Sequence, residues 1–130
     1  MEELNNYEKI AVAKVLTEIL NADNIVHENE INYMQEIIRS FGLDNTYKYD
    51  VDNLEISKAL SAIREMSTEQ KKEVTKMMGK MIVIDNDINY NEVKMYNAFC
   101  ETCNIEREFN VKDYPDVTLS GPFTNPEDLL

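Results

Sequence analysis

The residues best placed to do chemistry in this chain are Asp85-Asn86-Asp87-Ile88-Asn89-Tyr90-Asn91-Glu92. Asp85, Asp87 and Asn89 carry side-chain oxygens at alternate positions, and Glu92 follows at the start of a helix-like segment. Such a donor set suits a hard divalent cation, Ca²⁺ or Mg²⁺. The pattern has already occurred 62 positions earlier, as Asp23-Asn24-Ile25-Val26-His27-Glu28-Asn29-Glu30. Asp23 falls on Asp85, Asn24 on Asn86, Val26 on Ile88, Asn29 on Asn91 and Glu30 on Glu92. The candidate metal ligands are therefore Asp85, Asp87, Asn89 and Glu92 in the second copy, and Asp23 and Glu30 in the first.

The second copy opens like an EF-hand loop and then departs from it. The sixth position, which needs glycine, is Tyr90, and the twelfth, which needs a bidentate glutamate, is Tyr96. A standard calcium hand is excluded. A structural reading stands beside the metal one: Asn89-Tyr90-Asn91-Glu92 fits a capping box, Asn89 accepting from N–H groups of the next helix and Glu92 reaching back to Asn89. His27-Glu28-Asn29-Glu30 is the same arrangement with a weaker cap. Capping accounts for Glu30 and Glu92 but not for Asp85 and Asp87, which follow a helix C-terminus, where the macrodipole disfavours negative charge. A lysine, loop N–H groups or a cation must offset them.

Both copies lie between helix-like segments. Asn5 through Glu8 forms a capping-box start, and a helix is predicted over about 6–22 with Val12, Val15, Leu16 and Ile19 facing inward and Lys14 and Glu18 on another face. A second helix is predicted over 28–41, with Ile31, Met34, Ile38 and Phe41 as its apolar stripe and Gly42 as its stop. Residues 44–53 read as a polar connection. A third helix is predicted over 53–66 on Ile56, Leu60 and Ile63. Ser67 through Gln70 starts a fourth, to about 84, that buries Val74, Met77, Met78 and Met81, with Gly79 allowing close helix packing. A fifth, over 90–104, buries Val93, Tyr96, Phe99, Cys100 and Cys103. No segment alternates with period two for long enough to predict a sheet. The expected fold is all-α, a compact bundle of five or more helices built as a pseudo-twofold duplicated helix–loop–helix. The helical domain covers residues 1–109, and Pro115, Gly121, Pro122 and Pro126 mark 110–130 as a non-helical tail that Val117, Leu119 and Phe123 could anchor.

Composition narrows the function. With 130 residues and 43% hydrophobic content the chain can bury one core. Its formal net charge of −12, from 13 basic and 25 acidic residues, opposes binding to nucleic acid or anionic lipid. Divalent cations and a protein partner with a basic surface are the natural ligands. Neither a secretory signal nor an apolar run of about 20 residues is present, so direct membrane insertion is not expected and a cytoplasmic location is. Cys100 and Cys103 fall near a helix C-terminus and on its apolar stripe, which favours core residues over a redox pair. They and His27, the one histidine, are too few for a closed zinc site. His27 reads as an exposed or capping residue. Tyr47, Tyr49, Tyr90 and Tyr114 could mark an interface. Catalysis by paired carboxylates such as Asp85 and Glu92 would need a pocket, and no catalytic constellation is recognisable. The chain is expected not to be an enzyme.

The repeated motif behind an apolar helix, Ala22 through Glu30 and Ile84 through Glu92, resembles the signature of the TerB-like tellurite-resistance family: alanine, Asp-Gly, a variable residue, Ile or Val, three variable residues and Glu, in two copies. The resemblance covers about 8–105. Asn24 and Asn86 replace the family glycines, a mild change because Asn tolerates the left-handed conformation, and Ile84 replaces the second alanine. The resemblance implies a TerB-like helical bundle, with Asp23, Glu30, Asp85 and Glu92 at the family's acidic positions. It further implies a role in metal-related stress response or signalling, through cation binding and contacts with partner proteins. The alternative is a pure protein-interaction module whose acidic loops are only capped turns.

Overall fold

The computed structural model describes residues 3–23 and 25–120, without the side chain of Val111. Helix α1 (Asn6–Leu20) begins at the predicted box: Asn5 and Glu8 each donate a main-chain N–H to the other's side chain at 2.8 Å. The four expected inward residues are buried, and so are Ile10, Ala11, Ala13 and Leu20. The helix is thus enclosed on nearly every side instead of lying on the core by one face. Small side chains at Ala11 and Ala13 permit this, because α2 to α6 all pack against α1. It ends at Leu20, two residues before the predicted boundary, in a turn that leads to the first acidic loop.

Helix α2 (Glu28–Phe41) has the predicted bounds, and Gly42 ends it in the left-handed conformation at φ 68°. Its buried face differs from the prediction. Glu30, Tyr33, Met34, Ile37, Ile38 and Phe41 turn inward while Ile31 is 41% exposed. The stripe follows Glu30 at helical spacing, which leaves Ile31 on the next row out. The supposed connection at 44–53 contains a further helix, α3 (Tyr47–Asn53), which buries only Val51 and so leaves little hydrophobic periodicity to read. The third predicted helix is correspondingly shorter: α4 (Ile56–Arg64) begins only after the extended Leu54 and Glu55, and buries Ala59 and Ile63.

Helix α5 (Thr68–Val83) starts at the predicted Ser67–Gln70 box, with reciprocal bonds of 3.0 and 3.1 Å. Val74, Met78 and Met81 are buried, whereas Met77 is only partly so. Gly79 faces not a helix but Phe109, whose ring a Cβ would meet at 3.5 Å, an ordinary contact. Gly79→Ala is therefore expected to stabilise the fold by about 0.5–1 kcal/mol, through helix propensity and a more restricted unfolded chain. Denaturant titration reads this, and a loss of stability would mean that Phe109 cannot accommodate the methyl group. Helix α6 (Tyr90–Cys103) buries the five residues expected of it and ends at Asn104, φ 57°.

The two motif copies thus become α1–loop–α2 and α5–loop–α6, with α3 and α4 between them. One expectation is corrected: a small sheet exists. Strand β1 (Asp87–Asn89) lies in the second acidic loop and pairs in parallel with β2 (Thr118–Ser120), in the register Asp87 to Thr118, Ile88 to Leu119 and Asn89 to Ser120. Three-residue strands are too short to leave a period-two signal. The chain reaches β2 across the body. Phe109 meets Tyr96 edge-on at 5.8 Å and stacks on Tyr114 at 5.5 Å, and the Tyr96 hydroxyl accepts from the N–H groups of Glu108 and Phe109. A 3₁₀ turn occupies Val111–Asp113, so the tail is not wholly non-helical. Val117 packs on the core, Leu119 is 38% exposed, and Phe123 lies outside the described residues. Of the four tyrosines expected at the surface, Tyr49 is exposed; Tyr47, Tyr90 and Tyr114 are partly buried against the core. No helix among the described residues is long and apolar enough to cross a membrane.

Candidate metal centre

Each acidic loop is shaped first by its aspartate. Asp23 Oδ1 accepts the N–H of Ile25 at 3.0 Å, and Asp85 Oδ1 accepts the N–H of Asp87 at 3.2 Å, the same turn at equivalent places in the two repeats. Asn86 supplies the left-handed residue at φ 61°, a conformation asparagine tolerates. Asn89 caps α6, accepting from the N–H groups of Asn91 at 2.8 Å and Glu92 at 3.4 Å. The first loop differs: His27 occupies the cap position of α2 without a side-chain cap bond, and its N–H donates to Glu30 Oε1 at 3.3 Å.

The predicted ligands do not act as one set. Extended backbone puts Asp87 and Asn89 on the same side of β1, and both meet Ser120, whose hydroxyl donates to Asp87 Oδ2 at 2.7 Å and accepts from Asn89 Nδ2 at 3.2 Å. Asp87 Oδ2 and the Asn89 amide are thus engaged with β2, while Asp87 Oδ1 is buried without a hydrogen-bond partner among the described residues. The charge of Asp87 is offset there by a hydroxyl, and that of Asp85 by a loop N–H and by His27, whose Nε2 lies 3.2 Å from Asp85 Oδ2. His27 stands at the cap position of α2, as expected, and its ring adds the contact with Asp85. One ligand atom each from His27, Glu30 and Asp85 lie within 4.8 Å of one another. Sequence reasoning set His27 aside because it is alone, and a single residue facing an acidic loop 58 positions away leaves no local signal.

Glu30 and Glu92, the last residues of the two motif copies, are each 1% exposed and bring their carboxyl groups together at the centre of the repeat pair. Glu92 does not reach back to Asn89, so the predicted second capping box is only half made. Glu30 Oε2 and Glu92 Oε2 are buried with no donor from any other group among the described residues, so the two carboxyl groups are left to bond each other through a proton. Burial raises the pKa of Glu92, and the Glu30 carboxyl and the charges of Asp23 and Asp85 raise it further, to about 10. Burial also raises that of Glu30. Two carboxylates cannot both ionise at such proximity in a site closed to water, so the pair retains a proton. Asp23, Glu30, Asp85 and Glu92 thus interact electrostatically, as the duplication suggests, with His27 joining them and Asp87 and Asn89 directed elsewhere. A cation could replace the retained proton in offsetting the pair, and His27, Glu30 and Asp85 converge closely enough to serve as its donor set.

The two thiols are not part of any centre. Cys100 and Cys103 are buried, burial pushes each up to about 11, and Cys103 Sγ donates to the Leu60 carbonyl at 3.4 Å. Protonated thiols in apolar surroundings are poor nucleophiles, in keeping with the core reading.

No family model matches the sequence, and no curated protein matches it. Among solved structures the chain is similar to a protein of unknown function from Porphyromonas gingivalis W83, with 25% identity over 84% of this chain and 91% of that one and a TM-score of 0.70. The likeness is one of fold.

Proposed function

We propose that the chain is a non-enzymatic, TerB-like module that holds a divalent cation between its two acidic loops and docks a protein partner, in metal-related stress response or signalling. Resistance to tellurite itself is not part of the proposal. The observation that carries the cation reading is the meeting of Glu30 and Glu92, one from each repeat, nearly inaccessible to solvent and each with a buried oxygen that has only the other carboxyl group for a partner among the described residues. Two carboxyl groups buried side by side are costly when ionised, and a bound cation relieves that cost as a retained proton does. His27, Glu30 and Asp85, whose ligand atoms lie within 4.8 Å of one another, would hold it, with Glu92 beside Glu30. Carboxylate oxygens suit Ca²⁺ and Mg²⁺, and an imidazole nitrogen extends the range to Mn²⁺. The partner reading rests on the charge of −12.

The test is a thermal melt of chelator-treated protein with Ca²⁺, Mg²⁺, Mn²⁺ and Zn²⁺ in turn. At 100 times its dissociation constant, a cation bound only to the native state adds about 2.7 kcal/mol, several degrees for a domain of this size. The wild type is expected to shift and Glu30→Gln/Glu92→Gln not to shift. If no ion moves the wild type, the cation reading is lost and the pure interaction module takes its place.

A further inference from the structure

The two acidic loops are equivalent in sequence but unequally covered. In the second, Asp87–Asn89 is paired with β2 and Ile88 is fully buried. In the first, the equivalent residues 25–27 have no strand beside them among the described residues: Ile25 is 59% and Val26 45% exposed, although Val26 occupies the place of Ile88. Ile31, one turn into α2, adds a third exposed β-branched side chain. Among the described residues Val26 makes no main-chain hydrogen bond, while His27 at the end of the segment is extended, φ −94° and ψ 146°. A backbone with an unused N–H and C=O, flanked by exposed apolar side chains, is a template for strand addition.

We propose that residues 25–27 form a docking edge for an extended segment of a partner protein, which pairs with the first loop as β2 pairs with the second. The proposal deepens the protein-partner half of the function above. Charge fixes the chemistry of the occupant. Between Lys14 and Arg39 the chain has no lysine or arginine but carries Glu18, Asp23, Glu28 and Glu36 outside the buried pair. The segment that docks is therefore apolar at its centre and flanked by lysine or arginine. A strand from a second, equally acidic copy is disfavoured by the same charge.

The probe is the peptide Lys-Lys-Val-Thr-Leu-Ser-Lys-Lys, whose centre repeats the sequence of residues 117–120, with a version methylated on its central backbone nitrogens and a version flanked by glutamate. Binding is followed by fluorescence anisotropy and located by amide shifts in the ¹⁵N-labelled full chain. The lysine-flanked peptide is expected to bind and to move the amides of residues 25–27 and Ile31. Its dissociation constant should rise at least tenfold on backbone methylation and on Val26→Pro, which removes one donor from the docking edge. Val26→Lys, a substitution at an exposed site, should weaken it similarly. Equal binding of the methylated peptide overturns the proposal in favour of general surface charge. Shifts confined to another surface overturn it while the partner reading stands. If no peptide binds, the docking edge and its choice of partner both fail, whatever the cation melts show. Sedimentation that finds a dimer which Val26→Lys dissociates would assign the edge to a second copy, which also overturns it.

Discussion

Cation-free protein is expected to lose roughly 3 kcal/mol of stability between pH 5.5 and pH 8, and Glu92→Gln is expected to remove most of that loss. The unfolded chain gives up the Glu92 proton near pH 4.5, whereas the folded chain holds it up to about 10. The folded state thus binds more protons throughout that window, and stability falls as pH rises. Each pH unit costs about 1.4 kcal/mol for one retained proton. Asp23, Asp85 and Glu30 all oppose the charge on Glu92, and none of the nearby groups reverses the sign. A glutamine of the same shape carries no charge to suppress and can donate its amide hydrogen to Glu30. At pH 8 the variant should melt roughly 5–10 °C above the wild type in chelator, and near pH 5 the two should converge. Calorimetry at both pH values checks this. The chain's overall negative charge also weakens the fold as pH rises, but that contribution is nearly the same in the variant. If Glu92→Gln retains the wild-type pH slope, the buried pair is not the source of the loss.

The same pair explains why a cation and a proton would compete for the centre. A divalent ion takes over the task of the retained proton, so the stability that Glu92→Gln gains without metal should be matched in the wild type by the ion. The variant then combines higher basal stability with no cation response. A merely structural glutamate, engaged in capping, would lose stability on the same substitution.

Much of this was legible because duplication writes the same constraint twice. Asp23 and Asp85 make the same turn, and Glu30 and Glu92 hold equivalent places on α2 and α6. Helix starts at Asn5 and Ser67 could be read because a capping box is local. What could not be read is non-local. Nothing near His27 in sequence points to Asp85, and nothing near Asp87 points to Ser120, which holds it from 33 residues away. Alternating oxygens at Asp85, Asp87 and Asn89 suggested one ligand set, but in an extended strand the alternation delivers the latter two to a neighbouring strand. Helix α3 escaped notice because it buries only Val51.

The central position of α1 was also only half visible, and it sets the second large expectation. Leu16→Ala should cost about 3–5 kcal/mol, more than most single core truncations, and Ala13→Leu about 1–3 kcal/mol. Leu16 is fully buried on a helix against which α2 to α6 all pack, so no neighbour can move in to close the cavity without leaving others unpacked. The cost should therefore include most of the cavity contribution as well as the lost transfer energy. Ala13 separates the enclosed helix from the amphipathic one. On a helix with one buried face, position 13 would sit beside Lys14 toward solvent, and leucine there would be tolerated. On the enclosed helix, where Ala13 is wholly buried, the larger side chain must displace a packed partner. Urea titration with an unchanged slope would report both losses as changes in stability alone. A neutral Ala13→Leu would mean that α1 has a free side, and the arrangement that carries Glu30 and Glu92 to their meeting point would have to be redrawn.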